Sequence, residues 1–413
     1  MVRSLNAHQI PRGWQYELLD KLAERCSGHT PSKSFPEYWN GGIKWISLAD
    51  SHRLDKGYVY ETDKEISTEG IKNSSANVHP AGTVVISRDA GIGKSGVMAE
   101  PMAVSQHFIA WKCDNEQKMN NWYLYNWLQF NKHEFERQAV GSTIKTIGLP
   151  FFKKLRIAAP PYLEQQKIAN ILATWDKAIS ITERLIENST QQKKALMQQL
   201  LTGKKRLLDD EGKRFEGEWV KTELRKLLKE EGARNKGDKI QRVLSVTNHS
   251  GFVLPEEQFS KRVASKDTSN YKIVRKGQFG YNPSRINVGS FARLDEYEEG
   301  VLSPMYVVFS VLPKKLNSDY FHQWMHSHEA KQRINNSTQG SVRDSVNFSS
   351  LEAISLSIPN IEEQQKISTV LTNADKEIEL LEQQLADLQQ EKKALMQVLL
   401  TGKKRVMVDG EVA

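Results

Sequence analysis

The 413 residues carry 58 Lys and Arg against 50 Asp and Glu and only two cysteines, enough chain for two or three domains but too little cysteine for a disulfide framework or a cysteine zinc site. The opening MVRSLNAHQIPRGW has no apolar targeting core and no later run approaches a membrane span, so a cytoplasmic chain without membrane contact is expected. Positive charge gathers in two blocks, residues 1–159 at +4 (20 − 16) and residues 219–358 at +6 (21 − 15), a balance compatible with nucleic acid but not diagnostic of it.

Residues 1–159 open with a helix-like run at Trp14–Leu19. Short β-type runs follow at Ile43–Leu48, Thr83–Ser87 and Val97–Met98, broken by Gly, Pro and Asn. An aromatic helix at Trp122–Phe130 and an apolar strand at Leu155–Ala158 close the block. Gly93-Lys94-Ser95 looks like the end of a phosphate-binding loop, but position 88, where that motif needs glycine, is Arg, so no nucleotide site is expected. Ala159-Pro160-Pro161-Tyr162 is close to a methyltransferase loop whose leading Asn or Asp accepts a hydrogen bond from the target amino group. Ala cannot accept it, and the proline pair is expected to start a helix.

Residues 160–206 form that helix. Apolar side chains at Ile168, Leu172, Trp175, Ile179, Ile186, Leu196 and Leu200 recur in steps of three and four, with Thr182, Ser189 and Lys193 on the remaining rungs of a heptad seam. The run stops at Thr202-Gly203 with three cations beyond it. An acidic linker, residues 207–218, leads to a second globule, residues 219–358. That globule begins with a helix-like run at Trp219–Leu224. It continues with β-type runs at Gln241–Val246, Tyr271–Val274 and Met305–Val311, an aromatic helix at Tyr320–His328 and a strand at Ile354–Ile358. His322, His326 and His328 beside Glu329 have zinc-like spacing. The first globule keeps the matching tryptophan, Trp127 for Trp324, but has Tyr125 and Gln129 where His322 and His326 stand, so packing is expected and no metal.

A second helix, residues 359–406, precedes a short tail, 407–413. Its seam is Ile367, Leu371, Ile378, Leu381, Leu385, Leu388, Leu395 and Leu399. Pro160–Leu208 and Pro359–Met407 match at a constant offset of 199 without a gap, with about half the positions identical. A fixed offset of this kind marks internal duplication. About 38 residues at 1.5 Å each make a helix of about 57 Å. The expected fold is α+β: two α/β globules separated by two long antiparallel helices that form an intramolecular coiled coil, with a pseudo-twofold internal repeat.

Two loops hold the same place in the two halves, Ser87–Lys94 and Tyr281–Gly289, and each globule closes on Gly-Ser followed by a basic residue. The candidate DNA contacts are therefore Arg88, Lys94, Ser142 and Lys145 in the first half, and Asn282, Arg285, Asn287, Ser341 and Arg343 in the second. Arg grips the O6 and N7 of guanine in two-pronged fashion, and Asn the N6 and N7 of adenine. No nuclease cluster or Ser/His/Asp or Cys/His arrangement stands out, so no catalytic residue is expected.

Several motifs carry a resemblance to the DNA-specificity subunits of type I restriction–modification systems. They are Pro-(Pro/Asn)-x-x-Glu-Gln-Gln-Lys-Ile at 160–168 and 359–367, Lys-Lys-Ala-Leu-Met-Gln-x-Leu-Leu-Thr-Gly-Lys-Lys-Arg at 193–206 and 392–405, Gly-Ser followed by a basic residue before each helix (Gly141-Ser142-Thr143-Ile144-Lys145 and Gly340-Ser341-Val342-Arg343), and Tyr281-Asn-Pro-Ser-Arg-Ile-Asn-Val-Gly289. The resemblance implies globules that each read half of an asymmetric, bipartite site in double-stranded DNA, with the helices as spacers. It also implies two modification subunits that methylate adenine N6 with S-adenosylmethionine, and two restriction subunits that use ATP and Mg. This chain would be non-catalytic and bind no cofactor itself. The competing reading is a coiled-coil tandem-domain scaffold that binds protein, whose binding would not weaken with salt as phosphate contacts do.

Overall fold

The computed structural model describes residues 10–113, 118–141, 145–248, 250–255, 267–338 and 345–407. Its contacts form two compact units, residues up to Thr182 together with those from Gln384, and residues Glu183–Gln383. Each unit thus owns one globule, the half of one long helix that leaves it and the half of the other that enters it.

The central sheet of the first unit has the strand order Glu24–Ser27, Phe108–Lys112, Val84–Ser87, Ser95–Met98, Tyr58–Val59. That of the second has the order Leu228–Glu230, Val307–Val311, Phe279–Tyr281, Phe291–Arg293. The first four strands correspond one for one and all pair antiparallel. The globules differ outside this sheet. The first adds a four-stranded sheet, Lys64–Ile66, Trp39–Ile46, Met102–Val104 and Val78–His79, whereas the second has two separate strand pairs.

The expected helix-like openings at Trp14 and Trp219 are corrected by the structure. Gln15–Leu18 and Val220–Glu223 are strands, paired antiparallel with Arg156–Ala159 and Ser355–Ile358, the strands that lead into the long helices. Edge pairing overrides the weak helical preference of Glu-Leu sequences. The aromatic helices form at Asn121–Phe130 and Ser318–Met325, each capped by an Asn side chain: Asn120 accepts from the Tyr123 amide at 2.9 Å, Asn317 from the Tyr320 amide at 2.8 Å. The second ends at Met325 rather than His328. There a further helix begins, His328–Thr338, matched in the first globule by Lys132–Gln138.

The long helices span Tyr162–Leu200 and Ile361–Leu399. The first starts directly after the proline pair; the second is capped by Asn360, whose side chain accepts from the Glu363 amide at 2.9 Å. Both end alike. Gly203 (φ +70) and Gly402 (φ +68) adopt the left-handed conformation, and Lys205 and Lys404 donate their amides back to the carbonyls of Gln199 and Val398.

Burial along the seam is graded. Ile168, Leu172, Leu200, Ile367, Leu371 and Leu399 are buried, while Trp175, Ile179, Ile186, Leu196, Ile378, Leu381, Leu385, Leu388 and Leu395 are half-buried. In the first unit Ile168 and Leu172, at the start of one helix, share a core with Leu399 at the end of the other. In the second unit the start and end exchange, Ile367 and Leu371 with Leu200. The helices are therefore antiparallel. Each fully buried Leu or Ile contributes about 2 kcal/mol of apolar burial. Polar Thr182 does not open the seam: it is buried and its hydroxyl donates to the Ala178 carbonyl at 3.0 Å.

Charged rungs fix the register. Lys392 meets Asp176 at 2.5 Å in the first unit, and Lys193 meets Asp375 in the second. These are the lysines at the same rung of both repeats, and each has its carboxylate on the opposite helix. No helix among the described residues is long and apolar enough to cross a membrane.

Candidate nucleic-acid interface

The duplicated motif docks each globule onto the helices. Glu363, fully buried at the start of the second helix, accepts two parallel bonds from Arg206 at the end of the first motif, at 2.6 and 2.7 Å. In the other unit Glu164 accepts from Arg405 at 2.6 and 2.7 Å. The Arg that closes one repeat thus grips the Glu that opens the other. A third donor of each Arg reaches a main-chain carbonyl, Gly217 at 2.9 Å or Arg12 at 2.5 Å. The next residue is equally consistent. Gln165 accepts from the Asn120 amide at 2.9 Å and Gln364 from the Asn317 amide at 2.9 Å, while their NH₂ groups reach the carbonyls of Pro160 and Pro359. Glu-Gln and the terminal Arg are therefore positioning residues. In the sequence this Arg stands only as a cation past a helix stop and as the last residue of a repeated motif, with nothing to mark its Glu partner.

From this frame hang the two candidate loops. Residues 88–94 join Val84–Ser87 to Ser95–Met98, and residues 282–290 join Phe279–Tyr281 to Phe291–Arg293, which are corresponding hairpins. Each loop is tied to a residue two or three positions past the basic residue that ends the Gly-Ser run. The Ile147 amide donates to Arg88 O at 2.9 Å, and the Val346 amide, 199 positions on, to Pro283 O at 3.0 Å. In the first globule Lys145, at the end of that run, lines the same cleft as Lys94 of the loop. Ser142, Ser341 and Arg343 fall outside the described residues.

The first loop and run line an open cleft of about 560 Å³ with Asp89, Lys94, Lys132, Glu136 and Lys145. Lys94 reaches the Ser51 carbonyl at 3.1 Å and Lys132 pairs with Asp55 at 2.6 Å, whereas Lys145 is exposed. Asp89 receives the Thr146 hydroxyl and faces His107 Nδ1 at 2.5 Å, which pins the loop to its neighbours. Arg88 is tucked in, its side chain 19% exposed and its Nε 4.0 Å from Asp89. The second loop lines a cleft of about 400 Å³ with Ser245, Thr247, Asn248, Asn282, Ser284, Arg285 and Tyr306 among its walls. Arg285 is exposed on this cleft; Asn287 is exposed but does not line it.

His322 and His326 pack together with Nε2 atoms 3.3 Å apart, beside Phe291. Burial, and then His326 alongside, pushes His322 down to about 3; burial, with Lys193 and Lys331 nearby, also lowers His326. Neutral imidazoles can share one hydrogen bond. Among the described residues no group of three or more His, Cys, Asp or Glu is placed to hold a metal.

The model of the type I restriction modification DNA specificity domain matches this sequence twice, over residues 11–189 and 225–390. The chain belongs to this family. The type I restriction enzyme MjaVIII specificity subunit of Methanocaldococcus jannaschii is 22% identical over 430 aligned residues, covering 98% of this chain and 96% of that one. The MjaIX specificity subunit of the same organism is 28% identical over 190 residues, covering 46% of this chain and 42% of that one. Among solved structures, the type I restriction–modification S subunit from M. genitalium superposes with a TM-score of 0.58 at 13% identity, covering 96% and 97% of the two chains, a likeness of fold. This chain is a DNA-specificity subunit, and the scaffold alternative is not favoured.

Proposed function

We propose that each globule of this specificity subunit reads one half of a split, asymmetric site in double-stranded DNA. The observation that carries this reading is the pairing of one repeated frame with two unlike loops. Glu164, Gln165 and Arg405 do in one unit what Glu363, Gln364 and Arg206 do in the other, while the hairpin loops they support differ in length and in sequence, Arg-Asp-Ala-Gly-Ile-Gly-Lys at 88–94 against Asn-Pro-Ser-Arg-Ile-Asn-Val-Gly-Ser at 282–290. A duplicated support with different reading surfaces suits a bipartite target with unequal halves. Helix length would set the number of base pairs between the halves, near one turn of duplex.

The chain carries no catalysis in this scheme. Two modification subunits supply S-adenosylmethionine and methylate a flipped adenine in each half-site. Two restriction subunits supply ATP- and Mg-dependent translocation and cleavage. The chain's own residues bind, orient and hold DNA in register. Removing one heptad from both long helices, at matching rungs so that the seam and the Lys–Asp register persist, tests the spacer role. The methylated motif should keep its bases and change its gap. An unchanged gap in an active complex would defeat the proposal.

A further inference from the structure

We propose that the cleft of the second globule reads base edges through Asn248, Asn282 and Arg285, whereas the corresponding cleft of the first globule holds backbone phosphate through its lysines. This rests on the DNA-specificity reading and assigns a different kind of contact to each of the two clefts, leaving base reading by the first globule to surfaces outside its lysine cleft.

Three segments meet in the second cleft: residues 245–248, the loop 282–290 and the turn at Met305-Tyr306. Arg285 is the only charged residue among its described walls. Its main chain is held firmly: its amide donates to Asn282 O at 3.0 Å, and its carbonyl accepts from Val288 at 3.2 Å and Ser290 at 3.0 Å. Gly289, at φ +99, closes this turn in a conformation that other residues rarely adopt. Arg285 itself is exposed and makes no ion pair with a described residue. A fixed base with an unengaged fork is preorganised for a planar two-acceptor edge.

Two amides line the same cleft. Asn282 Oδ1 accepts from the Ser284 amide at 3.0 Å, which leaves its NH₂ group uncommitted. Asn248 is exposed and lies over Gly289; a Cβ at that glycine would sit 3.5 Å from Asn248 Cβ. Guanidinium and amide groups match the major-groove edges of guanine and adenine. The first cleft has the other chemistry. Lys94, Lys132 and Lys145 are point charges without a fork, and the one arginine of that loop, Arg88, is turned toward Asp89. Ammonium groups neutralise phosphate and carry no base information directly.

The test uses the full chain in complex with its modification subunits, on duplexes carrying its methylated motif and every single-base variant of it. Arg285→Lys and Asn248→Ala should each reduce discrimination at positions within one half-site by about tenfold or more, leaving the other half-site unaltered. Lys145→Ala and Lys94→Ala should weaken binding to all duplexes alike, each lowering the log–log salt slope by about 0.9. Thermal unfolding of each variant checks that the fold is retained. Unchanged discrimination at both half-sites in Arg285→Lys and Asn248→Ala overturns the inference, as does relaxed base choice in Lys145→Ala. A wild-type complex with no duplex preference overturns the specificity reading itself, a result distinguishable from either.

Discussion

The loops at 88–94 and 282–290 leave corresponding strands of corresponding sheets, yet one covers its arginine and the other displays it. The residues beneath them barely differ. In both units a buried Glu meets a distant Arg, a Gln caps the approach to the aromatic helix, and a Lys–Asp pair joins the long helices. Architecture here depends on repeated ionic and amide contacts, and in the proposed function specificity depends on what the hairpins leave uncommitted. A support that does not vary can carry loops that do.

The largest expected effect strikes the support. Arg206→Met leaves Glu363, which has no solvent exposure, as an uncompensated buried charge, and should cost about 3–5 kcal/mol. Arg405→Met should cost less, because Arg405 is 42% exposed and water replaces part of what is lost. Urea unfolding of both variants measures the difference. Equal losses would mean that the two docking points are energetically the same despite their unequal burial.

The next effect separates the globules by pH. Burial holds His322 near 3, below its unfolded value of about 6.5, so the folded state binds this proton less readily than the unfolded chain. The associated stability is complete above about pH 6.5 and is lost as pH falls toward 3, with about 2 kcal/mol gone at pH 5. His322→Gln should flatten the acid side of the unfolding profile, while Tyr125→Gln at the matching position of the first globule should leave it unaltered. A wild-type profile that survives His322→Gln would place the acid sensitivity elsewhere.

The smallest effect concerns the helix rungs. Asp375 receives both Lys193 and Gln323, the latter at 2.7 Å, whereas the matching Asp176 receives Lys392. Both carboxylates are more than a third exposed, so Asp375→Ala should cost only about 1 kcal/mol and Asp176→Ala somewhat less. Exchanging Lys193 and Asp375 should recover most of the loss if the charge pair sets register. A double-mutant cycle reads this coupling.

Much of the frame was legible in the sequence because it is long and periodic. A 39-residue helix with apolar rungs every three and four residues has few alternatives, and the 199-residue offset announced the duplication. Short elements were less legible. Gln15–Leu18 and Val220–Glu223 become strands only through partners more than 130 residues away, which no local pattern records. The same distance hid the Glu–Arg contacts, separated by 157 and 241 residues. At the site, residue type points to the loops and Gly-Ser runs, and the structure sets Lys94 and Lys145 on one cleft that Arg88 does not line. Side-chain direction could not be read in advance, so Arg88 and Arg285 looked equivalent. Asn248 gave no signal, being one asparagine in a loop until the fold sets it beside Arg285.

The most direct measurement is methylation-sensitive long-read sequencing of host DNA with this gene present and deleted, in the presence of its modification subunit. The account predicts loss of N6-methyladenine from one gapped motif with two unlike halves. An unaltered methylation pattern, with the partner expressed and binding the methyl donor, would contradict the claim that this chain sets the site.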